Sequence, residues 1–288
     1  MKKITKAVFP VGGMGTRFLP ATKSIPKELL PIIDKPLIQY AVEEAIDAGI
    51  ETLIFITSAS KHAISDHFDP MPDLRAKFMA QNKSHLVDKL DTLPLEIQRV
   101  FIPQGAPLGL GHAVLQAEAM IGADEMFAVI LADDFIQAEV NPLKRLVAVA
   151  EMKQSATISV EAVSDDRISS YGVIQPSEWQ GDFTQVTDII EKPDAHAAPS
   201  NYGVIGRYVL PQSVFAVLRQ TKMDKNSEYQ LTDALNELMR SSGLQAVKLA
   251  GQRFDCGSQS GFVMANLHVA MQNAGLKAQV LAYLSSCK

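Results

Sequence analysis

The 288 residues are 47% hydrophobic and 20% charged, which allows a sizeable core and excludes a disordered chain. A net charge of −5 and a pI of about 5.7 argue against nucleic acid or anionic membranes as partners, although a locally basic site for a small anion remains compatible with both. Two cysteines, Cys256 and Cys287, cannot build a disulfide framework, and no apolar run reaches the ~18 residues of a membrane span, so a soluble, cytoplasmic chain is expected. Ala7–Val11 is also too short for the apolar core of a secretory segment, because Gly12 and Gly13 end it.

Short apolar runs alternate with helical periodicity, the pattern of an α/β sheet protein. Ala7–Val11 is the first predicted strand. Pro10 lacks an N–H, so pairing there should be one-sided or end early. A long loop, Gly12 to Pro36, follows. A helix is predicted from Leu37 to about Ala48, with Pro36 at its first turn, Gly49 as its C-terminal cap, and Leu37, Ile38, Ala41, Val42 and Ala45 as its apolar stripe. Strands are predicted at Thr52–Thr57, Ile97–Ile102 and Phe127–Leu131, a helix at Leu110–Ile121, and a helical surface excursion between Pro70 and Asp91. The later strands, Thr157–Val163, Gly172–Gln175, Val186–Ile190 and Val204–Leu210, are less regularly separated by helices, which points to a mixed sheet with an antiparallel portion. From Ser258 onward the pattern is helical, with a break expected at Gly275. No internal repeat or linker interrupts the chain, so one continuous domain is expected.

The segment Gly12-Gly13-Met14-Gly15-Thr16-Arg17 follows a strand, where bare backbone amides can approach a phosphate or a base. A P-loop is excluded, since Lys and Ser/Thr do not follow the last glycine. A dinucleotide fingerprint is excluded too, since Phe18 replaces its third glycine. Taken alone, the glycines read equally well as a structural turn. The sequel is basic: Arg17, Lys23, Lys27 and Lys35 stand against Glu28 and Asp34, a local net of +2. Prolines at 20, 26, 31 and 36 stiffen this loop, as holding cations against a triphosphate would require.

Asp133 and Asp134 lie at the predicted end of a strand, the edge where open α/β sheets place ligands. Alone they read as a turn or helix cap; adjacent carboxylates repel unless a cation or divergent geometry relieves them. Asp255, before Cys256 and Gly257, reads alone as turn chemistry. Glu191-Lys192-Pro193 reads alone as a solvated ion pair before a proline.

The string Phe9-Pro10-Val11-Gly12-Gly13-Met14-Gly15-Thr16-Arg17-Phe18-Leu19-Pro20-Ala21-Thr22-Lys23, continued by Ile25-Pro26-Lys27-Glu28-Leu29-Leu30-Pro31, resembles the signature of the sugar-1-phosphate nucleotidylyltransferases. Among them it is most similar to the bacterial UTP–glucose-1-phosphate uridylyltransferases. The resemblance runs from about residue 4 to Leu267. It implies a three-layer α/β/α, Rossmann-like nucleotidyltransferase fold with a mixed central sheet and C-terminal helices. Within it, residues 1–135 would bind nucleotide, 136–257 the sugar phosphate, and 258–288 would form the terminal helices.

The implied reaction joins UTP and glucose 1-phosphate into UDP-glucose and pyrophosphate with Mg2+. By the same resemblance, the backbone of Gly12 and Gly13, in the loop that also holds Gly15 and Thr16, meets uracil and ribose. Arg17 and Lys27 hold the triphosphate, and Glu28 lies beside the base. Gln104 reads the uracil edge, in a base-binding stretch that includes Gly105 and Gly109-Leu110-Gly111-His112-Ala113. Glu191 accepts from sugar hydroxyls, Lys192 contacts the sugar phosphate, and Gly172 and Val204 line the sugar pocket. Asp133 and Asp255 match the magnesium ligands. Relatives suggest a homodimer or homotetramer.

Two positions depart from the family pattern: alanine often replaces Gly12, and an aliphatic residue is commoner than Tyr229, to which no role is assigned. His112 reads as a structural or capping residue, and Cys256 as a small buried one. The chemistry gives its own reason for a cation. An anionic oxygen must approach the α-phosphorus of a polyanion, and two unit charges about 4 Å apart repel by roughly 4 kcal/mol at an effective dielectric near 20. The alternatives are the same chemistry with dTTP or another hexose 1-phosphate, or a non-catalytic regulatory relative.

Overall fold

The computed structural model describes residues 3–90, 93–224 and 227–287. Strand β1 (Lys6–Pro10) leads into a loop folded as three short 3-10 turns and a two-stranded ladder, β2 (Pro31–Ile32) with β3 (Lys35–Pro36). Helix α1 (Leu37–Asp47) buries the predicted stripe of Leu37, Ile38, Ala41, Val42 and Ala45, and Gly49, at φ 90, turns the chain out of it. Strand β4 (Thr52–Thr57) follows, then α2 (His62–His67), α3 (Pro72–Ala80) and α4 (Ser84–Leu90), the expected helical excursion. Asp91, its expected end, lies outside the described residues. Next come β5 (Gln98–Pro103), α5 (Leu110–Leu115), β6 (Met126–Ile130), β7 (Asp134–Gln137) and α6 (Pro142–Lys153). The second half runs through β8 (Ala156–Ala162), β9 (Gly172–Pro176), β10 (Phe183–Glu191), β11 (Tyr202–Pro211), α7 (Val214–Leu218), α8 (Leu231–Ser242), β12 (Leu244–Lys248) and β13 (Gln252–Asp255), ending in α9 (Gln259–Gln272) and α10 (Ala274–Ser286).

Nine strands form one mixed sheet in the order β5-β4-β1-β6-β11-β8-β12-β10-β9. The β5, β4, β1 and β6 strands are mutually parallel, while β11 runs antiparallel to both of its neighbours, β6 and β8. Pro10 behaves as its missing N–H demands. The β1 strand pairs with β4 as far as Pro10, but with β6 only at Ala7 and Val8.

Strand alternation sorts the core into two faces. Val8, Ile54 and Ile56 pack with Val114 of α5, Phe215 of α7 and Leu235 of α8. Ala7, Phe9, Leu53 and Phe55 pack on the other side with Val42 of α1, Ile64 of α2 and Leu146 of α6. This is the three-layer α/β/α arrangement.

Two sequence expectations are corrected. The helix expected over Leu110–Ile121 stops at Leu115, and a 3-10 turn at Glu118–Met120 follows, still delivering Ala117 and Ile121 to the core. The break between the last two helices is Asn273 rather than Gly275. Asn273 is extended, and its side chain accepts from Gly275 N and Leu276 N, which is ordinary N-cap chemistry. Among the described residues no helix is long and apolar enough to cross a membrane.

Candidate active site

The parallel strands β1, β4, β5 and β6 all end at one edge of the sheet, and their exits build the site. Gly12 and Gly13 leave β1, Ser58–Lys61 leave β4, and Gln104 leaves β5. Together with Thr22–Pro26 of the basic loop they line a cavity of about 500 Å³. Gln104 is fixed at both ends: its backbone N–H donates to Thr57 O at 2.7 Å, and its side-chain amide nitrogen lies 2.8 Å from His112 Nδ1. A Cβ on Gly12 would come within 2.8 Å of Gln104 Oε1, so glycine is what lets the amide lie against the loop. Gly13 meets nothing within 4 Å there, leaving its backbone open.

Under this loop lies an ion pair that the sequence did not announce. Lys61, 8% exposed, donates to Glu28 Oε2 at 2.8 Å and to Val11 O at 2.7 Å, and Glu28 is itself only 2% exposed. Burial raises the Glu28 pKa against the pull of Lys61 and Lys27, and burial lowers that of Lys61. Lys61 therefore anchors both the glycine loop and Glu28. Its only sequence signal was a lysine in a post-strand loop.

A second cavity, of about 310 Å³, is lined by Asp133, Asp134, Tyr171, Gly172, Glu191, Lys192, Val204, Thr232, Arg253 and Asp255, among others. It brings together all four residues expected at the sugar pocket. A Cβ on Gly172 would lie 3.2 Å from Glu191 Oε2 and 3.3 Å from Thr232 Oγ1, while Thr232 donates to that same Glu191 oxygen at 2.6 Å. Glu191 is thus held, and Gly172 leaves the space beside it. Lys192 follows β10 at φ 45, a left-handed conformation that costs a non-glycine residue of order 1 kcal/mol. Its N–H donates to Tyr171 O at 3.0 Å, and its side chain, half exposed, stays 3.3 Å from Glu191.

The two cavities adjoin at an ion pair. Lys27, the residue after Pro26 of the first cavity, donates to Asp133 Oδ2 of the second at 2.6 Å. Asp255 reaches the same place because β13 pairs antiparallel with β7, setting Asp255 opposite Asp134, while Cys256 N–H donates to Asp133 O at 2.8 Å. A Cβ on Gly257 would lie 3.0 Å from both Asp133 Oδ2 and Asp255 Oδ1, so these oxygens are at most twice that distance apart. Arg17 Nη1 donates to Gly257 O at 3.3 Å, closing the group.

The electrostatics of the three aspartates differ. Burial works to raise Asp133, but Lys27, together with a backbone hydrogen bond and Arg17, outweighs it and holds its pKa low. Asp255 is raised, first by burial and then by Asp134 and Asp133. Burial lowers Lys27, but Asp133 and Glu28 more than compensate, leaving it raised. Asp134 turns to structural partners: Gly206 N–H donates to its Oδ2 at 2.8 Å and Arg253 Nη1 to its Oδ1 at 2.5 Å.

This donor set suits a hard divalent cation. Two carboxylate oxygens converge, and the Asp255 charge is unfavourable as the site stands. Among the described residues no group of three or more His, Cys, Asp or Glu could close a cage, so solvent and substrate oxygens would complete the shell.

Six expected residues line neither cavity. Arg17 and Lys27 stand at the junction, and Glu28 lies beneath the loop. Gly15, at φ 65, turns the chain so closely that a Cβ would lie 3.2 Å from that of Lys27, and Thr16 starts the 3-10 turn that follows. Gly109, at φ 95, packs against Tyr229, where a Cβ would come 2.9 Å from the carbonyl oxygen. Sequence reasoning missed Lys61, Thr232 and Arg253. Thr232 did lie in the stretch Gln230-Leu231-Thr232-Asp233, which carried no assigned role.

A nucleotidyltransferase is the class that this fold and edge define, and the nucleotidyl transferase family model matches residues 6–272; the chain belongs to that family. More particularly, it is 42% identical to a UTP–glucose-1-phosphate uridylyltransferase of Bacillus subtilis strain 168, over 99% of this chain and 97% of that one. Its structure is similar to a UDP-glucose pyrophosphorylase from Acinetobacter baumannii, with a TM-score of 0.89, 37% identity, and coverage of 99% and 100%. A UTP-bound enzyme from the same organism gives 0.88, 36%, and the same coverage.

Proposed function

We propose that this chain transfers a uridylyl group from UTP to glucose 1-phosphate, giving UDP-glucose and pyrophosphate, within one nucleotidyltransferase domain. The observation that carries the reading is the junction where Lys27 and Asp133 tie a nucleotide-sized cavity to a smaller one built on Glu191 and Lys192. UTP lies in the first, its uracil on Gly12, Gly13 and Gln104 and its triphosphate toward Arg17 and Lys27. Glucose 1-phosphate lies in the second, its hydroxyls donating to Glu191 and its phosphate beside Lys192. Residues 1–135 supply the nucleotide part and 136–257 the sugar-phosphate part.

A phosphate oxygen of the sugar attacks the α-phosphorus, and the bond from that phosphorus to the bridging oxygen of pyrophosphate breaks in line. The nucleophile is already ionised, so no general base is needed. Arg17 and Lys27 offset the charge on the departing pyrophosphate, while Lys192 steers the incoming phosphate. Magnesium held by Asp133 and Asp255 would further neutralise the reacting phosphate oxygens. Glu28, with Oε1 buried and lacking a hydrogen-bond partner among the described residues, braces the loop through Lys61.

The enzyme acts in the cytoplasm as a homodimer or homotetramer. Self-association is supported by α10, which buries no residue and exposes Leu281, Tyr283 and Leu284, and by α9, which exposes Val263, Met264 and Leu267.

Pyrophosphate release from a panel of triphosphates against several sugar 1-phosphates tests the assignment. UTP with glucose 1-phosphate should turn over fastest. dTTP should be disfavoured by about 1–3 kcal/mol, the reach of a pocket contact that differs by one methyl. Comparable turnover with ATP or GTP would end the uracil assignment.

A narrower test concerns Lys192. Its alanine variant should bind glucose 1-phosphate about ten- to a hundredfold more weakly, the worth of a charge-assisted hydrogen bond. The KM for UTP should hardly move. Unchanged glucose 1-phosphate kinetics would reduce Lys192 to the surface partner of Glu191.

A further inference from the structure

His112 stands on α5, outside the residues that line the nucleotide cavity, yet it is bonded to Gln104, the only side-chain amide among the described residues that line it. Its Nδ1 is 2.8 Å from Gln104 Nε2, and its Nε2 is 3.2 Å from the Gln116 amide, which also reaches the His112 carbonyl at 3.2 Å. A neutral imidazole has one N–H and one bare nitrogen, so only one ring nitrogen can accept. The shorter contact assigns the bare nitrogen to Nδ1, leaving the proton on Nε2, while the Gln116 amide nitrogen donates to the His112 carbonyl. The ring plane is fixed as well. It lies against Tyr229 at 6.1 Å between centroids and 27° between planes, and Gly111 N–H donates to Tyr229 O at 2.9 Å. With Gln104 Nε2 held by the histidine, Oε1 is turned onto Gly12, at the cavity wall.

We propose that His112 is a positioning residue for base choice: it locks the Gln104 amide so that the cavity offers an acceptor to uracil N3–H. This rests on the reading that Gln104 faces the base. Uracil presents an N–H at N3 beside the O4 acceptor, which Oε1 and the second Nε2 hydrogen of Gln104 match. Cytosine presents a bare N3 beside an amino donor. It would suit the opposite amide orientation, which would set Gln104 Oε1 against the lone pair of His112 Nδ1. Tyr229, at a position where the family more often carries an aliphatic residue, gains a role as the plate that holds the imidazole.

The test compares kcat/KM for UTP and CTP in the full-length enzyme with His112→Phe, His112→Asn, Gln104→Ala, and His112→Phe combined with Gln104→Ala. Phenylalanine keeps the ring on Tyr229 without an acceptor, while asparagine can place Oδ1 where Nδ1 was. The UTP-to-CTP ratio should fall about tenfold in His112→Phe, the worth of one ordered hydrogen bond. The fall should come through the KM for UTP, with the KM for glucose 1-phosphate unchanged. Asparagine should restore most of the ratio, and His112→Phe should add nothing once Gln104 is alanine.

If the phenylalanine variant unfolds, His112→Leu carries the same comparison. An unchanged ratio, or an equal loss with and without Gln104, would overturn the positioning role. A Gln104→Ala enzyme that keeps its full preference for UTP would instead overturn the underlying reading of Gln104.

Discussion

Asp133→Asn and Asp255→Asn should each lower turnover by about a hundredfold or more, because each removes one of the two carboxylates available to a single cation worth several kcal/mol to the transition state. If both act through one ion as proposed, the double variant should be little worse than the poorer single one, and raised magnesium should restore part of each single loss. Losses that multiplied, or variants indifferent to magnesium, would break the shared site.

Stability separates the two aspartates. In metal-free protein Asp133→Asn should destabilise modestly, since it forfeits the pair with Lys27. Asp255→Asn should stabilise. Burial and its acidic neighbours raise the Asp255 pKa, so near neutral pH its ionised form is the costly one in the folded chain. Thermal melting with and without magnesium reads both signs.

Asp134 would be a natural control if its side chain simply turned away from the proposed metal, but it makes a poor one. It does turn away, toward Arg253, which is 2% exposed and also binds Glu161 at 2.8 Å and the Tyr171 hydroxyl at 2.8 Å. Replacing Asp134 strips a buried guanidinium of one of its two carboxylates, and the loss would register as instability rather than as mild activity loss.

The parts of the molecule legible in the sequence were those where period and punctuation agree. The α1 helix shows its five buried positions at helical spacing between a proline and a glycine, and β4 is, Leu53 apart, a β-branched and aromatic run. The β7 and β13 strands were not read, because Asp134–Gln137 and Gln252–Asp255 are short, polar at both ends, and become strands only by pairing with each other across the chain. That pairing is what sets Asp255 beside Asp133, so the meeting of the two aspartates came from resemblance and could not come from periodicity. The α8 helix did carry a readable signal, with Leu231, Ala234, Leu235 and Leu238 spaced for one buried face. Lys61, Thr232 and Arg253 were illegible for another reason: a polar side chain gains meaning from its partner, and Glu28, Glu191 and Asp134 lie 33, 41 and 119 positions away.

The largest stability effect should come from an ion pair behind the site. Arg207 of β11 is 1% exposed and forms a fork with Glu44 of α1, with Nε to Oε1 at 2.9 Å and Nη2 to Oε2 at 2.7 Å. The same guanidinium donates to Leu131 O at 3.0 Å and Asp134 O at 3.1 Å, bracketing the backbone that carries Asp133. Glu44→Leu leaves this cation buried without its hydrogen-bonded carboxylate, Asp134 and Asp133 acting on it only through space, and should cost about 3–5 kcal/mol of unfolding free energy. Arg207→Met should cost less, for two reasons. Glu44 is 10% exposed and borders an open acidic cavity where water can reach it. Leu131 O also keeps the Asp134 N–H as a donor at 3.3 Å. The double variant should therefore be more stable than Glu44→Leu alone, since it removes the orphaned charge that the single change creates. Urea unfolding of the three variants at neutral pH checks the order, and a Glu44→Leu loss below about 1 kcal/mol, the range of exposed pairs, would mean that solvent already reaches the guanidinium. Activity should follow the same order, because a relaxed Leu131–Asp134 backbone lets Asp133 drift from Lys27.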